Sequence, residues 1–165
     1  MKRKVVSFLT SCCLLAGMLI VSTNVRTNAS ENNLVDGSYL TEADSSEGKS
    51  MDSDLTRGIH LMDGECSISK AGTKRIYTYG ATTANHTVDY IAVIVYVDRY
   101  NEETKDWGQI DAWAKQGNDD YFICTSKSIT VDRGYYYRVH ADHLVEKDGV
   151  GEETASATDG ILVPK

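Results

Sequence analysis

The stretch that most restricts the fold is Gly134-Tyr135-Tyr136-Tyr137-Arg138-Val139-His140-Ala141-Asp142-His143-Leu144-Val145. Its odd positions read Tyr135, Tyr137, Val139, Ala141, His143 and Val145. Its even positions read Tyr136, Arg138, His140 and Asp142, with Leu144 the exception. Side chains alternate across a strand, so this pattern gives one apolar and one polar face. Aromatic and β-branched residues suit such a half-buried surface. Gly134 supplies the turn before it, and Asp148-Gly149 is a hairpin signal after it. A helix would point the three consecutive tyrosines in three directions and leave no apolar stripe.

The same period of two recurs from Ile59 onward. Expected strands cover residues 65–70, 73–83, 88–100, 107–115, 121–131, 134–145 and 152–163. Residues 88–100 are apolar on both faces, with Ile91, Val93, Val95 and Val97 on one and Ala92, Ile94 and Tyr96 on the other. That marks a strand central to its sheet. Turn signals fall at Ala71-Gly72, at the polar tip Asn101–Lys105 and at Gly117-Asn118. About seven strands at regular spacing, with Pro164 the only proline, predict an all-β protein: one antiparallel two-sheet sandwich over residues 59–165.

Residues 1–29 read as a secretory signal peptide. Lys2, Arg3 and Lys4 precede an apolar run to about Ser22, and Thr27-Asn28-Ala29 offers small residues for cleavage. At roughly 18 residues the run is at the lower limit for a membrane span, and no stable span is expected once it is removed. Residues 30–58 hold seven acids against Lys49 and Arg57, with many Ser, Asn and Gly. They read as a disordered acidic leader unable to bury enough apolar surface to order itself. The first 29 residues carry four cations and no acid, so their loss takes the net charge from −7 to −11. Such acidity excludes nucleic acid and anionic membrane as expected partners. The expected location is secreted and extracellular, or associated with the cell envelope.

Residues Ile129-Thr130-Val131-Asp132-Arg133-Gly134-Tyr135-Tyr136-Tyr137-Arg138-Val139-His140-Ala141 resemble the E–F corner and F strand of fibronectin type III and related immunoglobulin-like modules. The resemblance implies that a tyrosine hydroxyl bonds back across the corner. Tyr135 and Tyr137 share a face, and parity does not choose between them. Arg133 stands where those modules carry proline, and their inward tryptophan on strand B is missing. The chain beyond residue 29 is also similar to small exported proteins of Gram-positive bacteria grouped as a domain of unknown function. That likeness implies secretion and no particular activity.

Cys66 and Cys124 remain once Cys12 and Cys13 leave with the signal peptide, and an even pair in an exported protein is a candidate disulfide. In the strand order that the resemblance implies, however, they lie two strands apart. That separation is roughly 9–10 Å, beyond the reach of a disulfide. His140 and Asp142 share a strand face, but no third ligand follows, since His60 and His86 lie far off in sequence. No metal or cofactor is expected. Without Gly-x-Ser-x-Gly, and with acid pairs Glu102-Glu103 and Asp119-Asp120 at loop tips, no catalytic constellation is legible. Ten Tyr and two Trp against two Phe form an aromatic set with polar tips. Tyr136, Arg138, His140, Trp107 and Tyr100 are the candidate exposed binding face. The expectation is a non-catalytic extracellular or cell-surface module that binds a glycan or a protein. A secreted bacteriocin-like effector and an extracellular hydrolase are the alternatives.

Overall fold

The computed structural model describes residues 34–50 and 58–165. The signal-peptide reading lies outside the described residues, as do residues 30–33 and 51–57 of the acidic leader. Eleven strands run through the described residues: β1 (Leu34–Val35), β2 (Ser38–Thr41), β3 (Ser45–Lys49), β4 (Leu61–Lys70), β5 (Arg75–Val88), β6 (Tyr90–Asn101), β7 (Asp106–Gly117), β8 (Asp120–Thr130), β9 (Tyr135–Lys147), β10 (Val150–Ala157) and β11 (Gly160–Val163). No helix among them is long and apolar enough to cross a membrane.

The strands form two sheets. The larger runs β1-β2-β11-β9-β6-β7, with β10 also paired to β9, and the smaller runs β3-β4-β5-β8. All pairings are antiparallel except β2 with β11. β6 lies between β9 and β7, as its two apolar faces require. β9 is the organising strand. One edge pairs along β6, while the other is shared by β11 at Tyr135–Tyr137 and β10 at His140–Lys147.

Between the sheets, Val93, Val95 and Val97 of β6 and Val139, Ala141 and Val145 of β9 meet Cys66 and Ile68 of β4 and Ile76 of β5. The odd face of β9 is therefore the core face, as its alternation requires. Tyr135 is the departure, at 41% exposure. The β6–β9 ladder ends at Arg99↔Tyr137, so Tyr135 has no neighbour on the β6 side of its strand. Tyr137 is buried, and its hydroxyl donates to the carbonyl of Asp132 at 2.9 Å. It, and not Tyr135, closes the corner.

Two expectations are corrected. First, residues 34–50 are part of the sandwich. Asp36 and Gly37 both take positive φ, at 48° and 76°, which makes the two-residue turn of a β1–β2 hairpin. Ser38 is fully buried and donates to Thr158 O at 2.7 Å. β3 pairs with β4 from Ser45↔Ser69 to Lys49↔Glu65. High acid content misled because it averages over the segment: Asp36 meets an arginine, and Asp44 pairs with Lys70 at 3.1 Å. Second, the closing strand is split. Three residues, Thr158 to Gly160, oppose two on β9, and the Thr158 hydroxyl accepts from Val139 N at 3.0 Å. That extra residue is a bulge that re-aims β11 toward β2.

Candidate binding cleft

Cross-strand register brings the predicted face together. On the outer side of the large sheet, Tyr96 lies opposite His140, Asp98 opposite Arg138, and Tyr100 opposite Trp107. The Tyr96 and His140 rings stack at 4.6 Å, and the Tyr96 hydroxyl donates to Asp142 at 3.1 Å. Tyr100 contacts Trp107 at 5.4 Å and Tyr136 at 6.4 Å between ring centroids. All five predicted residues thus belong to one cluster.

That cluster is not an open face. Arg138 is 6% exposed and Tyr100 5%, while Tyr136, His140 and Trp107 are half-buried. The β1–β2 turn covers them. Arg138 donates from Nε to Asp98 at 3.0 Å, from Nη1 to Asp36 O at 2.8 Å and Ser38 Oγ at 3.1 Å, and from Nη2 to the Asp36 carboxylate at 2.8 Å. Its guanidinium lies 4.6 Å from the centre of the Trp107 ring, whose N–H donates to Val35 O at 2.9 Å. Planarity, a fork of donors and weak hydration make arginine suited to this buried position. Burial pushes the Asp98 carboxyl up, but His140 and Arg138 outweigh it and hold its pKa below the ordinary range. His140 Nδ1 lies 3.0 Å from the same Asp98 oxygen that Arg138 holds. The cluster is a polar lock between the N-terminal hairpin and the sheet.

Open surface lies beside it. Beyond the end of the β6–β9 ladder, the β6–β7 hairpin and the corner before β9 enclose a cleft of about 640 Å³. Its lining carries Arg99, Arg133, Tyr135 and Lys165 together with Glu102, Glu103 and Asp106. The Arg99 guanidinium lies 4.9 Å over the Tyr135 ring and pairs with Asp132 at 3.4 Å. Arg133 Nε donates to Pro164 O at 2.9 Å, and Gly134 N to Val163 O at 2.6 Å, so the chain end is tied to the corner. Gly134 has φ +86°, a conformation L side chains rarely adopt. The exposed tyrosine that parity assigned to the core is thus the aromatic surface of the cleft.

Inside the sandwich, His143 is fully buried beneath Gly64, where a Cβ would collide with the imidazole. Thr82 donates its hydroxyl to Ala92 O at 2.8 Å. Its oxygen, 3.0 Å from Nδ1, therefore accepts from His143, leaving Nε2 to accept from Ser156 at 2.8 Å. Burial pulls the imidazole pKa down to about 4 against the opposing effect of Asp142 and Asp63. This neutral, saturated histidine is structural, and its signal in the sequence was a polar residue on the apolar parity of β9.

The cysteines do not pair. Cys66 is opposite Gly80 and Cys124 opposite Ala81, so they flank β5 on neighbouring strands and face opposite sides of the small sheet. Both are free thiols. Burial pushes Cys66 up to about 11, which makes it inert at neutral pH.

A family of unknown function (DUF6147) matches residues 28–161. The chain belongs to that family. The matched span begins before β1, so in this DUF6147 member the family unit includes the hairpin that covers Arg138. No curated protein and no solved structure matches the chain.

Proposed function

We propose that this protein is an exported, non-catalytic binding module whose ligand occupies the cleft between the β6–β7 hairpin and the corner before β9. The observation that carries the reading is the Arg99–Tyr135 pair, presented on strand ends at one wall of an open cavity of about 640 Å³. Ligand sites of such size are usual, and a few fixed polar groups set their specificity. Here the walls are charged and hydrogen-bonding, which suits a glycan or a peptide segment better than a lipid. The exposed Tyr135 ring offers a stacking surface, with Asn101 and Gln109 beside it as donors and acceptors.

Export is read from the basic start and apolar run of residues 1–29, and the acidic charge suits a soluble extracellular domain. The Gram-positive origin and the immunoglobulin-like likeness belong to the same proposal. The likeness is supported by the Tyr137 corner and by the placement of β4 and β8 on either side of β5. The non-catalytic reading is supported by the wall carboxylates Glu102, Glu103 and Asp106, all solvent-exposed at a hairpin tip rather than held in a dry pocket. Glycan arrays and pull-downs against envelope polymers and extracellular proteins test this. The expected result is a ligand whose binding falls at least tenfold in Tyr135→Ala or Arg99→Ala. Blank arrays and pull-downs from folded protein, or binding untouched by both substitutions, would overturn it.

A further inference from the structure

At the opposite end of the sandwich from the cleft, two histidines distant in sequence meet. His60 precedes β4 and His86 lies near the end of β5. The β4–β5 ladder joins Leu61 to Ala84, and Asn85 N donates to His60 O at 2.8 Å. This pairing places His60 Nδ1 3.0 Å from His86 Nε2, with the ring planes at 88°. We propose that His60 and His86 form a two-histidine site for a divalent first-row transition-metal cation such as Zn²⁺, Ni²⁺ or Cu²⁺.

Three observations support it. The first is the separation. Two imidazole nitrogens bound at about 2.0–2.1 Å, in neighbouring positions on one metal ion, stand about 3.0–3.4 Å apart. The pair is already at that distance, and small ring rotations turn both lone pairs onto a common point. In the metal-free chain one of these two nitrogens carries a proton and donates to the other; on metal binding that ring takes its other tautomer, the proton moves to its outer nitrogen, and both facing nitrogens offer lone pairs. The second is rigidity. The Glu152 carboxylate accepts from the backbone N–H groups of Ile59, His60 and Leu61 at 2.8, 2.9 and 2.7 Å. Asn85 Nδ2 also donates to Ile59 O at 3.1 Å. The His60 backbone is therefore held, although it lies in a connecting segment. The third is access. His86 is exposed and His60 half-buried, leaving room for water in the remaining coordination positions. Among the described residues no third His, Cys, Asp or Glu completes a larger cluster, so these residues supply two protein ligands. Imidazole with open positions suits Zn²⁺, Ni²⁺ and Cu²⁺ rather than Mg²⁺ or Ca²⁺.

Isothermal titration of the untagged chain with ZnCl₂ and NiCl₂ at neutral pH tests the proposal. One saturable ion per chain at sub-millimolar concentration is expected. MgCl₂ should give no heat. His86→Gln keeps a hydrogen-bonding side chain but lacks the imidazole ligand, and affinity should fall at least about tenfold. Its thermal transition without metal should match the parent, which separates lost ligation from lost folding. Cu²⁺ spectra should show coupling to two nitrogens in the parent and one in the variant. Absence of saturable binding, or equal affinity in His86→Gln, would overturn the site. Glycan or protein binding at the cleft is independent of either result.

Discussion

Protonation of His143 should set the acid stability of the fold. In the native state its pKa is pulled down from 6.5 to about 4 by burial. The unfolded chain has the ordinary value. A depressed native pKa means that the folded state resists the proton and the unfolded state accepts it. Stability is then complete above the unfolded pKa and falls as pH drops through the window from 6.5 to about 4, after which this contribution is flat. Between about pH 7 and pH 5 the loss is about 2 kcal/mol, and its limit is about 3 kcal/mol. The geometry gives the reason: Nε2 already accepts from Ser156, and a second N–H there would face a hydroxyl aimed the wrong way. Denaturant unfolding of the parent and of His143→Gln, repeated across that pH range, isolates the effect. Glutamine can donate to Thr82 and accept from Ser156 but does not titrate. The variant should be less stable near pH 7 by roughly 1–3 kcal/mol and should lack about 2 kcal/mol of the parent's decline toward pH 5. The other histidines and the carboxylates titrate in both proteins and cancel in the difference. Parallel pH profiles for the two proteins would refute the reasoning.

Other outcomes follow from the same structure. Arg138→Met should cost about 3–5 kcal/mol in denaturant unfolding, because it strands the buried Asp98 carboxylate, and Arg138→Met with Asp98→Leu should regain most of that loss. Tyr137→Phe should cost about 1 kcal/mol by removing the corner bond to Asp132 O, whereas Tyr135→Phe should be neutral. Peptide mapping under non-reducing conditions should recover Cys66 and Cys124 as separate alkylated peptides, with Cys124 labelled first in native protein and Cys66 only on unfolding.

The sandwich was legible because the apolar period of two is strong where strands are long. In β6 and β9 the alternation named the inward residues correctly from Ile91 to Val97 and from Tyr137 to Val145. Turn chemistry placed the hairpins, and Asp148-Gly149 takes positive φ at both residues. The N-terminal hairpin was missed for lack of local weight. β1 has two residues and β2 four, and neither shows an alternation that outweighs the acids around it. Yet Asp36-Gly37, flanked by Leu34-Val35 and Tyr39-Leu40, carried the same turn signal as Asp148-Gly149. The polar face of β9 was identified as a unit, but its exposure was not. Whether Arg138 is solvated or locked depends on Asp36, which lies 102 residues away and which no local pattern connects to it. The cleft was invisible for a related reason, since it exists only where the β6–β9 ladder stops.

Hydrogen–deuterium exchange over residues 38–49 tests most directly whether the acidic N-terminal segment closes the aromatic cluster and so shifts recognition to the cleft. Paired to β11 and β4, amides of β2 and β3 should exchange far more slowly than those of the hairpin tip Glu102–Lys105, and Arg138→Met should release β2 first. Exchange in β2 and β3 as fast as at that tip would show that the segment does not cover the sheet, and the five clustered residues would return as an open face.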